Sequence, residues 1–309
     1  MNIFRGTDFS HRLKHPVVTV GTFDGVHKGH QALLAKMKEL AGETGGETLV
    51  ITFNQHPRLI LHTDNDVFFL NTIEEKIKLI ENAGIENLWI LPFTKSFARL
   101  SAEKFIKDFL VDKAGVDHLL VGYDHSLGKG GTTSFDDLKN LADNFGFALR
   151  KIEKVIIEGK TASSSVIREA LINGNIEIAN MLLGYNYMLS GRVKIGNQIG
   201  HKIGFPTANL KYINRRKLIP AVGVYACKIE WNGQIYNAMS NVGFRPTVNS
   251  NHLNIESHIF DFDRDIYDDP ITISFVQRIR DEQKFDGLEQ LQAQLIKDKE
   301  VVLKVLKSV

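Results

Sequence analysis

A change of pattern near residue 184 constrains this chain more than any other feature of its sequence. Before it, short apolar runs alternate with amphipathic segments, and after it turn-bounded extended segments follow one another. The first pattern is typical of a parallel sheet covered by helices, and the second of an antiparallel sandwich or barrel. A length of 309 residues also favours two domains. We therefore predict an α/β chain with two domains, residues 1–184 and 185–309.

The N-terminal half is predicted to be a doubly wound, Rossmann-like α/β domain. Nearly continuous apolar runs are typical of strands covered on both faces, and we expect such strands at 17–20, 49–53, 88–91 and 119–121. Apolar residues spaced as on one helix face predict the helices between them. A further helix is expected to begin at a capping box formed by Ser134 and Asp137, and to end at Gly146.

The C-terminal half is predicted to be a small antiparallel β-barrel followed by one helix. Its strands are expected at 223–231, 234–243, 253–262 and 271–279. Asn232-Gly233 indicates a type I′ hairpin turn, since such a turn needs positive φ at both central residues. In the closing helix, Asp286 and Glu289 are the predicted capping box.

Composition excludes several classes of protein. Apolar residues make up 43% and charged residues 24%, and no run has the length of a membrane span, so we expect a cytoplasmic protein. A net charge of +2 gives no electrostatic case for nucleic acid, and the basic cluster 214–217 is interpreted as a solvated turn. Cys227, the single cysteine, excludes a disulfide framework and is expected to be buried. We expect a monomer or weak homo-oligomer that binds small molecules.

The segment Gly21-Thr-Phe-Asp-Gly-Val-His-Lys-Gly-His30 lies between a predicted strand and the first helix. A helix N-terminus favours an anion, and glycines let a phosphate approach the backbone. His27 and His30 could then donate to phosphate oxygens and stabilise the charge that develops during phosphoryl transfer. A zinc site lacks an obvious third ligand nearby, and the spacing of a dinucleotide fingerprint is absent.

Segment 21–30 resembles the H-x-G-H signature of nucleotidylyltransferases, in the form found in prokaryotic bifunctional riboflavin kinase/FAD synthetases. A second segment, Ser163-Ser-Ser-Val-Ile-Arg168, resembles the S-S-x-x-I-R motif of that family. Without the first motif, the serines would be read as a simple helix cap. With it, the resemblance implies that three residues are catalytic in adenylyl transfer, namely His27, His30 and Arg168. It also implies that six residues bind ATP there: Gly21, Phe23, Asp24, Gly29, Ser164 and Ser165.

The flavin side of this domain is expected near two strand ends. Segment 52–57 is similar to the T-F-x-x-H-P segment of the family, which implies flavin contacts for His56 and Pro57. Asp124 follows another strand and matches a polar position that contacts substrate. The sequence then departs from the pattern, because Leu127 stands where an aromatic is usual and Gly130-Gly131 replaces a stretch that commonly carries arginine.

The second site is expected in residues 191–209, where glycines recur about every four residues. Such a loop can approach a ligand closely, and Thr207 and Asn209 offer hard oxygen ligands suited to Mg²⁺. Composition alone leaves a flexible hairpin rim as an equal alternative. Segment 204–209, however, resembles the riboflavin kinase signature G-x-P-T-A-N, which implies that five residues bind ATP: Gly196, Gly204, Pro206, Thr207 and Asn209.

Two more roles rest on this resemblance. Glu256 matches the glutamate that the family uses as its base, and Arg280 matches a position near the flavin. A lone glutamate in a strand is otherwise most often solvent-facing, and an arginine at a strand end is often exposed.

The resemblance implies two ATP-dependent reactions, riboflavin to FMN and then FMN to FAD, both with Mg²⁺. One alternative keeps the kinase and loses efficient adenylylation through the departures after Asp124. Another is a flavin- or nucleotide-binding regulator with inactive sites, which has no chemical need for the full set of candidate residues.

Overall fold

The fold is described from a computed structural model. It describes residues 1–61, 68–123, 128, 133–196, 199–212, 214–247 and 250–308. These residues form two compact units, Met1–Ser164 and Ser165–Val309. The domain boundary after residue 184 stays a prediction.

The first unit contains a six-stranded parallel sheet with the strand order β1-β4-β3-β2-β5-β6. Its strands are β1 Asn2–Arg5, β2 Val17–Val20, β3 Thr48–Phe53, β4 Asn87–Leu91, β5 His118–Val121 and β6 Ala148–Lys151. Its helices are α1 Lys28–Thr44, α2 Pro57–Leu61, α3 Ile73–Asn82, α4 Ala102–Phe105 and α5 Phe135–Phe145. A π-helical turn, Ile106–Val111, continues α4, and two short strands, β7 Ile156–Ile157 and β8 Lys160–Thr161, pair with each other.

Each face of this sheet carries its own hydrophobic core. In β3, Leu49 and Ile51 pack in the cluster that contains Phe109, whereas Val50 packs in the cluster of Leu34 on α1 and Ile80 on α3. Successive side chains of a strand point to opposite faces, so alternate residues divide between the two cores. The predicted doubly wound arrangement is therefore confirmed, although β1 and β6 had not been predicted.

The second unit contains a closed six-stranded antiparallel barrel with the strand order β10-β13-β12-β11-β14-β9. Its strands are β9 Tyr187–Lys194, β10 Ala208–Tyr212, β11 Gly223–Trp231, β12 Gln234–Thr247, β13 Ser250–Ile259 and β14 Pro270–Arg280. Its helices are α6 Ser164–Ile172, α7 Ile176–Leu183, α8 Ile199–Lys202 and α9 Leu288–Lys307. The predicted barrel and closing helix are thus confirmed.

Most local signals are confirmed. Ser134 and Asp137 form the predicted capping box, and Gly146 ends α5 in the left-handed conformation. Asn232 and Gly233 both have positive φ, 49° and 75°, as a type I′ turn requires. Cys227 is buried, and burial raises the pKa of its thiol to about 12.

One local prediction is wrong, and a second holds only in part, because the basic cluster does form a turn with Arg215 exposed. The N-cap of α9 is Gly287, which leaves Asp286 one residue too early for its side chain to cap the helix. Lys217 of the basic cluster is buried instead of solvated. Its Nζ lies 4.5 Å from the ring centroid of Tyr187. A cation over an aromatic face recovers part of its lost hydration energy.

Within the described residues, no helix is both long enough and apolar enough to cross a bilayer.

Candidate active sites

The loop between β2 and α1 has an unusual backbone conformation. Phe23, Gly25 and Val26 have φ values of 48°, 89° and 36°. Left-handed φ is strained for residues with a Cβ and persists only where the surroundings impose it. Phe23 and Val26 are both buried in the core beneath α1, so apolar burial offsets the strain. The loop is therefore held in one shape at the N-terminus of α1.

His27 and His30 lie together at this helix N-terminus. His27 is the N-cap, and its Nδ1 accepts a hydrogen bond from the backbone N–H of His30 at 3.4 Å. The two rings stack with centroids 3.8 Å apart. Because Nδ1 is the acceptor, a neutral His27 ring carries its proton on Nε2.

His30 is the more unusual of the two. Burial lowers the pKa of its imidazole well below the ordinary value, and the charges of His27 and Lys76 lower it further. His30 is therefore neutral at pH 7. Its Nδ1 is buried and has no hydrogen-bond partner in the described part of the chain. Buried polar atoms without partners are rare, and one at a helix N-terminus indicates a place for a ligand.

Asp24 connects this loop to two other segments by hydrogen bonds. Its Oδ1 accepts hydrogen bonds from the backbone N–H groups of Leu70 at 2.9 Å and Asn71 at 3.3 Å, just before α3. Its carbonyl oxygen accepts from Ser164 Oγ at 2.8 Å. The structure thus joins two of the predicted nucleotide residues, Asp24 and Ser164, by a direct hydrogen bond.

The other predicted residues of the adenylyl-transfer site are placed as follows. Gly21 directly follows β2, and Gly29 lies in the first turn of α1. The S-S-x-x-I-R motif does open a helix, α6, but Ser165 and Arg168 belong to the second compact unit. Their part in binding triphosphate stays a prediction.

Lys76 lies close to the loop 21–30 and was not singled out in the sequence analysis. It is buried on α3, and its Nζ donates to Thr52 Oγ1 at 3.4 Å. Burial lowers the pKa of its ammonium to about 8, and the attraction of Asp24 opposes the shift. A signal was available, because Lys76 is three residues after Ile73 and four before Ile80. That spacing places it on the apolar face of the helix.

Only some of the residues predicted to contact the flavin in the first unit are described. His56 stacks on Phe69 with ring centroids 5.6 Å apart, and Pro57 begins α2. Asp124, Leu127 and Gly130-Gly131 lie outside the described residues. At the ends of β3 and β4, three half-buried aromatic rings contact one another, with centroids 5.0 to 5.7 Å apart: Phe53, Phe93 and Phe97.

Four polar side chains meet in the barrel where β10 pairs with β13. Asn209 lies opposite Glu256 in the strand register. Thr207 Oγ1 donates to Glu256 Oε2 at 3.3 Å, while Asn254 Nδ2 donates to Glu256 Oε1 at 2.7 Å and contacts Asn209 Oδ1 at 3.3 Å. Three of these residues were predicted from the sequence, and Asn254 was not. We call this set the barrel cluster: Thr207, Asn209, Asn254 and Glu256.

The segments around the barrel cluster are closely packed. A Cβ at Gly196 would lie 2.2 Å from Asn209 Nδ2, so only glycine lets the loop after β9 approach this side chain. Gly204 has a φ of 80°. The carbonyl of Pro206 accepts a hydrogen bond from His258 Nδ1 at 2.8 Å. Gly196 of the glycine-rich segment therefore lies directly against the barrel cluster, and the role of this segment in binding ATP stays a prediction.

Arg280 lies at the end of β14, and its guanidinium is hydrogen-bonded to other residues of the second unit. Its Nε and Nη2 donate to the buried carboxylate of Asp298 on α9, with the shortest distance 2.6 Å, and its Nη1 donates to the carbonyl of Asp281. This bidentate pair fixes the guanidinium in one orientation. A flavin contact for Arg280 stays a prediction.

Two family models match different parts of the chain. The sequence model of the FAD synthetase family matches residues 10–166, and that of the riboflavin kinase family matches residues 183–306. The fold and these matches define a two-domain enzyme of flavin nucleotide synthesis.

Two relatives named for this class, and one solved structure with a different name, are similar to nearly the whole chain. A bifunctional riboflavin kinase/FMN adenylyltransferase of Bacillus subtilis is 39% identical over 93% of this chain and 92% of its own length. That of Escherichia coli strain K12 is 35% identical over 91% of this chain and 90% of its own length. A crystal structure named as a macrolide-efflux protein of Streptococcus pneumoniae has a TM-score of 0.88 at 33% identity, covering 98% of this chain and 99% of that one.

The chain belongs to the family of bifunctional riboflavin kinase/FMN adenylyltransferases. Its activities are the phosphorylation of riboflavin to FMN and the adenylylation of FMN to FAD.

Proposed function

We propose that the barrel cluster is the riboflavin kinase site and that Glu256 is its general base. The ribityl hydroxyl must lose a proton as it attacks the γ-phosphate of ATP, and a fixed carboxylate can accept that proton. The supporting observation is the geometry of Glu256, which is held by Thr207 on one oxygen and by Asn254 on the other. The glycine-rich segment beside it, with Gly196, Gly204 and Pro206, would then bind ATP.

The same cluster suits a magnesium ion. Mg²⁺ prefers hard oxygen ligands, and Thr207 Oγ1 and Asn209 Oδ1 both lie within this cluster. Among the described residues there is no competing group of three or more histidine, cysteine or acidic side chains that could hold a metal. When bound there, Mg²⁺ would neutralise charge on the ATP phosphates.

We also propose that the loop 21–30 is the adenylyl-transfer site. His27 would donate from Nε2 to a phosphate oxygen, and neutral His30 would stabilise charge that develops at the α-phosphate. The supporting observation is the buried Nδ1 of His30, which lies at a helix N-terminus without a partner among the described residues. Ser164, Ser165 and Arg168 would bind the triphosphate, with His56, Pro57 and Asp124 on the flavin side.

Three further parts of the proposal concern the setting of the enzyme. We propose a cytoplasmic protein that is a monomer or weak homo-oligomer and does not bind nucleic acid. The net charge of +2 supports the last point.

Two substitutions test the two-site proposal. Glu256→Gln keeps size and removes the base, so FMN formation should fall by roughly 10² to 10⁴ while added FMN still becomes FAD. His30→Ala removes a donor and should lower adenylylation by about 10² to 10³, so that riboflavin accumulates as FMN. Each variant is incubated with ATP and either riboflavin or FMN, and the flavins are separated by chromatography.

Matched controls are Glu289→Gln and His11→Ala, which change exposed residues of the same types. Circular dichroism checks that every variant remains folded. A folded variant that loses both half-reactions would overturn the two-site proposal and require a shared nucleotide site.

A further inference from the structure

Lys76 carries a buried ammonium group with few protein partners. The residue is 9% exposed, and within the described part of the chain its Nζ makes one hydrogen bond, the 3.4 Å contact to Thr52 Oγ1. An ammonium has three N–H donors, so two of them lack a protein acceptor there. Burying a charge without partners costs stability, and such groups are retained where they have a function.

A chain of two hydrogen bonds joins this ammonium to the loop 21–30. Thr52 Oγ1, its acceptor, itself donates to the carbonyl oxygen of Thr22 at 3.3 Å. Lys76 is also close enough to interact electrostatically with Asp24 and with His30. It therefore lies beside the helix N-terminus where His30 Nδ1 has no partner among the residues that the structure describes.

The acidic neighbour does not neutralise Lys76 completely. The Oδ1 atom of Asp24 accepts from two backbone amides, those of Leu70 and Asn71, which hold the carboxylate in place. Glu75, the adjacent residue on α3, is engaged in the capping box with Thr72. Burial lowers the pKa of Lys76 by more than the attraction of Asp24 raises it. An additional anion would therefore be bound favourably next to it.

We propose that Lys76 contacts a phosphate group of a substrate during adenylyl transfer. This inference rests on the proposed placement of that reaction at the loop 21–30. A phosphate would accept hydrogen bonds from the two N–H groups of Lys76 that have no acceptor among the described residues. The fixed charge of Lys76 would also stabilise the negative charge gained in the transition state. FMN and ATP both carry phosphate, so the chemistry is shared and the experiment must separate the two sources.

The test compares Lys76→Met with two controls on the same structural elements. Lys78→Met removes an equal charge from an exposed position of α3, and Thr52→Val removes the acceptor of the Lys76 bond together with the hydrogen bond that Thr52 Oγ1 donates to the Thr22 carbonyl. Initial rates of FAD formation are measured against FMN and against ATP, with riboflavin phosphorylation as the internal check. A second variant, Lys76→Gln, guards against a packing defect specific to methionine.

Both Lys76 variants should lower kcat/KM for adenylylation by about 10², while riboflavin phosphorylation is unchanged. Lys78→Met should have no effect and Thr52→Val less than about a threefold effect. A raised KM for FMN alone would assign the contact to the FMN phosphate, and a raised KM for ATP alone would assign it to the triphosphate. A fall in kcat alone would assign it to the charge formed in the transition state.

Two results would overturn the inference. One is adenylylation within about threefold of wild type in a folded Lys76 variant. The other is an equal loss in Thr52→Val, which would make Lys76 a structural anchor. If His30→Ala still loses adenylylation, the proposed site survives and only Lys76 is excluded. If His30→Ala is also active, the placement of the site itself is wrong.

Discussion

Asn254 donates a hydrogen bond to Glu256 Oε1 at 2.7 Å, and the two residues are two positions apart on β13. Residues i and i+2 of a strand share one face of the sheet, so the amide lies next to the carboxylate along its own strand. The second oxygen, Oε2, is left to face Thr207. The amide and the hydroxyl therefore hold the two oxygens of the proposed base in different directions.

Replacing Asn254 by leucine should therefore slow FMN formation by about 10- to 150-fold, because a hydrogen bond to a charged group is worth roughly 1.5 to 3 kcal/mol. The measurement is kcat for riboflavin phosphorylation, with FMN adenylylation as the internal control. A kcat within about twofold of wild type would mean that Thr207 alone orients the carboxylate.

The barrel cluster shows how far sequence reasoning extends. Thr207, Asn209 and Glu256 could be named because they fall in recognisable segments. Asn254 could not, because an asparagine in a strand has no periodic signal and its role depends on the pairing of β10 with β13. That register is set by contacts between segments nearly fifty residues apart, which local pattern does not encode.

The apolar pattern predicted more of the fold than of the sites. It identified the central strands β2 to β5, which are buried on both faces, and missed the edge strands β1 and β6, which are largely exposed. Lys76 was missed for a related reason. A charged residue interrupts the apolar pattern of a helix face, so the pattern alone gives no reason to select it. Its burial, which only the structure shows, is what indicates a function.

The second domain should be active without the first. Fragments 186–309 and 165–309 should both make FMN from riboflavin and neither should make FAD. The longer fragment should unfold at a higher temperature, because α7 buries Ile176, Ala179, Leu182 and Leu183. Asn180 of α7 also bonds the Phe275 carbonyl at 2.8 Å and the Tyr187 backbone N–H at 2.7 Å.

Thermal unfolding and flavin chromatography on both fragments test this prediction. A short fragment that is folded and inactive would contradict the assignment of the kinase to the barrel. Equal unfolding temperatures would mean that α7 contributes little to the second domain.

Lys76→Met should stabilise the protein at neutral pH. The pKa of Lys76 is about 8 in the folded chain against an ordinary 10.5, so the unfolded chain binds the proton more tightly. The charged form therefore costs stability below about pH 8, and this cost disappears as the pH rises towards 10.5. After the lost hydrogen bond to Thr52 is included, we expect a gain on the order of 2 kcal/mol near pH 7.

Calorimetric unfolding of wild type and variant at about pH 7 and about pH 9.5 measures this difference. The two proteins should differ most at the lower pH and converge at the higher one. A gap that is independent of pH would show that packing, and not the buried charge, is responsible.

Leu127→Phe should lower the KM for FMN in adenylylation. If the missing aromatic weakens stacking of the flavin ring, restoring it should improve binding by an effect on the order of 1 kcal/mol. The comparison is the KM for FMN at saturating ATP, with Leu127→Ile as the size-matched control. An unchanged or raised KM would indicate that the flavin is held elsewhere, and the rings of Phe53, Phe93 and Phe97 would be the next residues to substitute.

The closed barrel limits how two copies of this chain could associate. Pairing of β9 with both β10 and β14 closes the barrel, so its described strands offer no free edge to which a second chain could add by backbone hydrogen bonding. The parallel sheet does have edges, but β1 is only four residues long and β6 ends in Arg150 and Lys151. Short and positively charged edges discourage strand addition. Among the described residues, neither the six-stranded sheet nor the barrel presents a long uncharged strand edge, so the enzyme should resist the edge-to-edge aggregation that open sheets invite at high concentration.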